Sequence, residues 1–229
     1  MKINLESIEK NIARYIDHTL LRPDAEERMI VSLCQEAIDH KFAAVCIPPC
    51  YVKLAANLLY EQKVKVATVV GFPFGYQTAE VKFFEAHKAL GVGASEIDMV
   101  MNLAAFKSKQ YAAVENEIGE LATLCHFKNA RLKVIIETAL LNEKEIIEAC
   151  QICTEAEADF VKTSTGFSSR GASVADIQLL RANLPGNIQI KASGGIRDFS
   201  FAQELIAAGA DRLGTSAGLE LIKHEKEIY

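Results

Sequence analysis

Eight short runs of apolar, often β-branched residues alternate with helical stretches along this chain, at 15–19, 43–47, 65–71, 96–102, 131–138, 160–165, 188–194 and 212–216. Successive runs begin 22 to 35 residues apart. That interval holds one strand, one crossover helix and two loops, which parallel strands require because a tight turn cannot return the chain to the same end of a sheet. The pattern predicts a βαβ unit repeated to give eight parallel strands. An open doubly wound sheet and a closed barrel both accept eight such strands. No Gly-x-Gly-x-x-Gly follows the first run, where a dinucleotide-binding sheet carries it. The expected fold class is therefore α/β, a (β/α)8 TIM barrel. The 229 residues, half of them hydrophobic, suit one large core, and no Pro- or Ser-rich linker divides them, so a single domain over 1–229 is expected. Gly91 and Gly209, in two of the similar turns that lead into runs, are expected to cap helices.

Charge and cysteine usage narrow the partners. A net charge of −5 and no long basic run leave no footprint for nucleic acid or an anionic membrane, which points to small polar molecules. No apolar run approaches the ~20 residues that span a bilayer, and the first residues lack a signal-peptide core, so a cytoplasmic protein is expected. The six cysteines, at 34, 46, 50, 125, 150 and 153, are scattered and read as reduced thiols. Cys150 and Cys153 match C-x-x-C but fall within a helical run, 142–156, with no second Cys/His pair at zinc spacing. The five histidines are dispersed. No metal and no cofactor is expected.

Two lysines stand inside apolar runs, in Phe160-Val-Lys162-Thr-Ser-Thr-Gly166 and Ile188-Gln-Ile-Lys191-Ala-Ser-Gly-Gly195. A lysine in a strand covered on both faces is strongly penalised by desolvation unless it loses its proton or finds partners. A neutral buried amine beside a second cation is what Schiff-base chemistry needs, since only the free amine attacks a carbonyl. In a barrel the site lies at the C-terminal ends of the strands. There the sequence places Asp17, His18 and Thr19 at the first run's end, Asp98 and Asn102 in the fourth, Glu137 and Thr138 in the fifth, and Lys162 and Lys191 in the sixth and seventh. All are expected to converge on one mouth, with Asp17 and Glu137 equally readable as members of a satisfied polar layer. Thr165-Gly166, Ser193-Gly194-Gly195 and Gly214-Thr215-Ser216 follow the last three strands. Their amides and hydroxyls suit a phosphate, which this fold commonly holds there.

At these residues the chain resembles the deoxyribose-phosphate aldolases, a family of class I Schiff-base aldolases. The likeness runs through Asp17-His-Thr19, Val45-Cys-Ile47, Gly71-Phe-Pro-Phe-Gly75, Glu96-Ile-Asp-Met-Val-Met-Asn102, Val161-Lys-Thr-Ser-Thr-Gly-Phe167 and Lys191-Ala-Ser-Gly-Gly-Ile196. It implies reversible cleavage of 2-deoxy-D-ribose 5-phosphate to acetaldehyde and D-glyceraldehyde 3-phosphate, in deoxyribonucleotide catabolism. It implies Lys162 as the imine-forming nucleophile, Lys191 as the neighbouring cation that lowers its pKa, and Asp98 as a proton-transfer residue. Pattern alone does not decide which lysine forms the imine. Substrate contacts are expected from Asp17, Thr19, Cys46, Thr165, Gly166, Gly194, Gly195, Thr215 and Ser216. The partners implied are a phosphorylated sugar, small aldehydes and further copies of the chain in a dimer or tetramer. Two features depart from the family: Pro48-Pro-Cys50 after the second run, and a C-terminal segment, 219–228, that reads as a charged helix before Tyr229. In some members a mobile tail brings its last tyrosine to the site. A transaldolase or keto-acid aldolase would use the same buried lysine, and a non-catalytic barrel is the reading outside enzymes.

Overall fold

The structure, a computed structural model, describes residues 12–228; Tyr229 lies outside the described residues. Eight strands, β1 Ile16–Thr19, β2 Ala44–Ile47, β3 Lys65–Val70, β4 Glu96–Val100, β5 Arg131–Ile135, β6 Phe160–Lys162, β7 Gln189–Ser193 and β8 Arg212–Thr215, pair in sequence order. All pairings are parallel, and β8 closes on β1 with Ile16 opposite Leu213. Nine α-helices are found among the described residues: α1 Glu27–His40, α2 Val52–Leu58, α3 Ala79–Gly91, α4 Leu103–Lys107, α5 Tyr111–Phe127, α6 Glu143–Glu155, α7 Val174–Asn183, α8 Phe199–Ala207 and α9 Gly218–Ile228. The fold is the (β/α)8 TIM barrel that the eightfold rhythm requires. No helix among the described residues is long and apolar enough to cross a membrane.

Several strands stop before the apolar runs do, because the last residues of those runs leave the ladder to build the mouth. The run at 160–165 is strand only to Lys162, although the Thr163 amide still reaches the Lys191 carbonyl at 3.0 Å. The run at 131–138 ends at Ile135, and Glu137 turns left-handed with φ 52°. One helix end also differs from expectation. Gly91 is still helical, and the left-handed residue after α3 is Gly93 (φ 113°), since the chain continues through Val92 before it turns. Gly209 (φ 117°) follows α8 as expected.

Period-2 alternation divides the strand residues into two environments. Outward residues such as Val45, Ile97, Met99, Leu132, Val134, Val161, Ile190 and Leu213 pack under the helices in the main apolar core. Inward residues fill the lumen, which has two halves. Ala44, Cys46, Ala67 and Val69 form a small apolar cluster on β2 and β3, whereas β1 and β4 to β8 send charged side chains inside.

Candidate active site

The lumen holds a connected set of seven charged groups. Asp98, on β4, accepts at Oδ1 from Lys133 Nζ (2.8 Å) and at Oδ2 from both Lys162 Nζ (2.7 Å) and Lys191 Nζ (2.8 Å). Lys191 also lies 2.5 Å from Asp17 Oδ2, and Lys133 lies 2.6 Å from Glu96 Oε2. Arg212 joins the two remaining acids, donating to Asp17 Oδ1 and to Glu96 Oε1 at 2.9 Å. Strand register produces these meetings: Asp98 is opposite Lys133, Lys162 opposite Lys191, and Lys191 opposite Arg212. The ring of Phe160, also facing in, has Lys133 5.7 Å and Arg212 5.8 Å from its centroid, within cation–π range.

These contacts decide the protonation states. Burial opposes charge on Lys191, but Asp17 and Asp98 outweigh it and hold its pKa above the ordinary lysine value. Burial likewise works against Lys133, and Asp98 and Glu96 raise its pKa in turn. For Asp98, burial favours the neutral acid, yet Lys133, Lys162 and Lys191 hold its carboxyl well below the usual carboxylate range. Asp17 is lowered too, by Lys191, Arg212 and Lys133 against burial. Behind the cavity, the structure thus keeps fixed ammonium and carboxylate charges, with Cys46 a neutral thiol whose pKa burial raises.

A cavity of 320 Å³ opens above this cluster and is lined by Lys162 and the loops at 19–22, 165–167, 193–197 and 214–216. Lys162 is the one lysine among its lining residues. The loop after β7 carries Gly194 (φ 84°) and Gly195 (φ 76°) in succession, both left-handed. Glycine adopts that conformation without strain, and the absence of a Cβ lets an anion approach the backbone closely. The amides of Gly166, Gly194, Gly195 and Ser216 donate to no protein acceptor among the described residues. Gly214 leaves room for the cluster: a Cβ there would stand 3.0 Å from Lys191 Cε and press on Ser193 Oγ.

Of the residues expected at the site, Thr19, Lys162, Thr165, Gly166, Gly194, Gly195, Thr215 and Ser216 line the cavity. Asp17, Cys46, Asp98 and Lys191 are fully buried and do not. Asp17 is engaged by Lys191 and Arg212, and Cys46 Sγ sits 3.9 Å from Asp98 Oδ2 within the wall. Thr215 contributes backbone only, because its hydroxyl donates to the Ile196 carbonyl at 2.6 Å. The expected convergence on one mouth also fails for three residues. His18 points outward by strand parity and meets Glu36 of α1 at 2.7 Å. Asn102 caps α4 by accepting from the Ala105 amide, and the Thr138 hydroxyl donates to Asp176. Glu137 turns to the loop after β6, where Oε2 accepts from the Thr165 amide (3.1 Å) and hydroxyl.

Sequence reasoning missed Glu96, Lys133 and Arg212, all inside the lumen, and Ser193, Arg22 and Arg197 on the cavity wall. Parity could have found the first three. Glu96 is two residues before Asp98, Lys133 two after Arg131 and two before Ile135 on the face opposite Leu132 and Val134, and Arg212 two before Gly214. Ser193 Oγ is buried with no partner among the described residues.

A closed parallel barrel that exposes one lysine to a cavity and ties it, through a shared carboxylate oxygen, to a second lysine defines an enzyme of imine-based carbonyl chemistry, the class I aldolase type. The comparisons with known proteins agree. The chain belongs to the DeoC/LacD family of aldolases, whose pattern matches residues 12–224, and it is a carbon–carbon lyase. It is 49% identical over 217 residues to the deoxyribose-phosphate aldolase of Thermococcus kodakarensis, covering 94% of this chain and 97% of that one. It is 50% identical to the corresponding enzyme of Halalkalibacterium halodurans, covering 96% and 98% of the two chains. Among solved structures, the tetrameric deoxyribose phosphate aldolase of Aeropyrum pernix superposes with a TM-score of 0.89 at 34% identity, covering 96% of this chain and 93% of that one.

Proposed function

We propose that this aldolase reversibly cleaves 2-deoxy-D-ribose 5-phosphate to acetaldehyde and D-glyceraldehyde 3-phosphate, through an imine on Lys162, in deoxyribonucleotide catabolism. The observation that carries the reading is the placement of Lys162: it alone of the three lumen lysines lines the cavity, and it shares Asp98 Oδ2 with Lys191. Lys191 stays protonated between two carboxylates. The neutral amine attacks the substrate's C1 aldehyde to give a carbinolamine, which loses water to form the iminium. The two-carbon product fixes the bond that breaks as C2–C3. A base takes the C3 hydroxyl proton, C3 becomes the aldehyde of glyceraldehyde 3-phosphate, and the bonding electrons move to the iminium to leave an enamine. Protonation at C2 and hydrolysis by water release acetaldehyde and restore the amine. Asp98 with Lys191 is the relay best placed to move these protons, acting through water because both are sealed from the cavity.

The 5-phosphate fits the amides of Gly166, Gly194, Gly195 and Ser216, with Ser193 Oγ and Arg197 adding donors at the wall and rim. Association into a dimer or tetramer is supported by exposed aromatic side chains on the outer surface, Tyr60, Phe84 and Phe127 among them. Substrate choice tests the reading. Deoxyribose 5-phosphate should yield both aldehydes, while deoxyribose without phosphate should show a KM raised by tenfold or more with the imine still trappable. Turnover of fructose 6-phosphate or a 2-keto acid at a higher rate would replace it with a transaldolase or keto-acid aldolase reading.

A further inference from the structure

The charge count of the lumen extends the imine reading, on which it rests. Three carboxylates, Asp17, Glu96 and Asp98, face four cations, Lys133, Lys162, Lys191 and Arg212. The other walls add no buried charge: β2 contributes the neutral Cys46, β3 contributes Ala67 and Val69, and Glu137 beyond β5 turns to Thr165; Arg131, 6.0 Å from the Phe160 centroid, and Arg22 and Arg197 on the cavity wall are exposed, and solvent screens their charges. With all seven ionised the cluster carries one uncompensated positive charge, and with one lysine neutral it balances. Buried net charge is strongly unfavourable, so the cluster favours release of one proton to water through the cavity. Arg212 does not release it, since a guanidinium stays charged. Lys191 bridges Asp17 and Asp98, and Lys133 bridges Asp98 and Glu96, whereas Lys162 meets Asp98 alone.

We propose that Lys133, which does not touch the cavity, is a positioning residue: it holds Oδ1 of Asp98 and supplies the cation that leaves Lys162 as the group giving up its proton. Without Lys133, three carboxylates face three cations, and balance then requires Lys162 to remain an ammonium. Asp98 bridges the two nitrogens at 2.8 Å and 2.7 Å. A unit charge within about 8 Å, at an effective dielectric of ~20, shifts a proton equilibrium by roughly thirtyfold or more.

The test is the pH profile of adduct formation on Lys162 with acetaldehyde and cyanoborohydride, in the parent chain, Lys133→Met, Glu96→Gln and the double variant. Lys133→Met should move the midpoint up by about 1.5 pH units, Glu96→Gln should move it down by a similar amount, and the double variant should return it near the parent value. If Lys133→Met does not fold, the difference between Glu96→Gln and the double variant isolates the effect of Lys133. A purely structural lysine would lower stability or rate without moving the midpoint, so unmoved midpoints in the folded variants overturn the proposal. Absence of any Lys162 adduct in the parent chain refutes the imine reading instead, a different result from an adduct whose midpoint does not respond.

Discussion

Lys82 and Lys162 are both buried lysines held by a carboxylate, yet their surroundings are opposite. Lys82, on α3, lies between helix and barrel, where Nζ donates to Glu117 of α5 and to the Val100 carbonyl at 2.9 Å. Burial lowers its pKa and raises that of Glu117, with their mutual attraction only partly offsetting it. By pKa alone Lys82 would be a candidate nucleophile. It lines none of the three best-formed cavities among the described residues, and its amine is held by protein acceptors. Lys162 has one carboxylate partner, two further cations on that carboxylate, and an opening. A reactive lysine therefore needs access and an excess of local positive charge, and burial without them makes a structural tie.

Four substitutions, the last read against pH, test that contrast. Lys162→Arg should reduce turnover to background in a steady-state assay, because the guanidinium keeps its charge and is not nucleophilic. Asp98→Leu should lower C–C cleavage by ~10²–10⁴ while imine trapping persists; cleavage near the parental rate would make Asp98 a structural counter-ion. Lys82→Met should leave kcat within about twofold but lower stability by ~3–5 kcal/mol in denaturant titrations, since Glu117 is left buried and uncompensated. Loss of activity in a folded Lys82→Met protein would erase the distinction between the two sites.

The smallest effect is in acid. Asp17 and Asp98 have folded-state pKa values below the unfolded ~3.9, so their stabilisation is present above that pH and is lost as pH falls through the folded values. Glu117 is raised, so the folded state holds its proton first. Its contribution therefore grows as pH falls from the raised value toward ~4.3. Glu117→Gln removes that opposing slope and should make the acid loss of stability slightly steeper between pH 5 and 4, as read from melting temperature. An unchanged slope would mean that Glu117 does not titrate separately from Lys82.

The fold was legible because strand spacing and the absence of a dinucleotide loop leave few architectures for eight parallel strands. Lys162, Lys191 and Asp98 were legible because each interrupts an apolar run. Lys133 is legible by parity only once the strands are closed into a barrel, because Arg131-Leu-Lys-Val-Ile begins with two alternating cations and resembles a strand with one wet face. Only barrel closure makes that face the lumen. His18 shows the converse: adjacent to Asp17 in sequence, it lies on the opposite face and binds α1. Lys82 falls in step with Ala86 and Ala89 on the buried stripe of α3, a helical register that shows burial but gives no sign of Glu117, 35 positions away. For Asp17 and Cys46 the sequence shows a position near the mouth but not the depth of the side chain, and both are sealed in the wall.

Access, added to the shared Asp98 oxygen, selects one amine among the buried lysines. Borohydride reduction in the presence of deoxyribose 5-phosphate, followed by peptide mass mapping, measures that selection directly. One reduced adduct per chain is expected, on Lys162, with Lys82, Lys133 and Lys191 unmodified. An adduct on Lys191, or one distributed among these lysines, would contradict it.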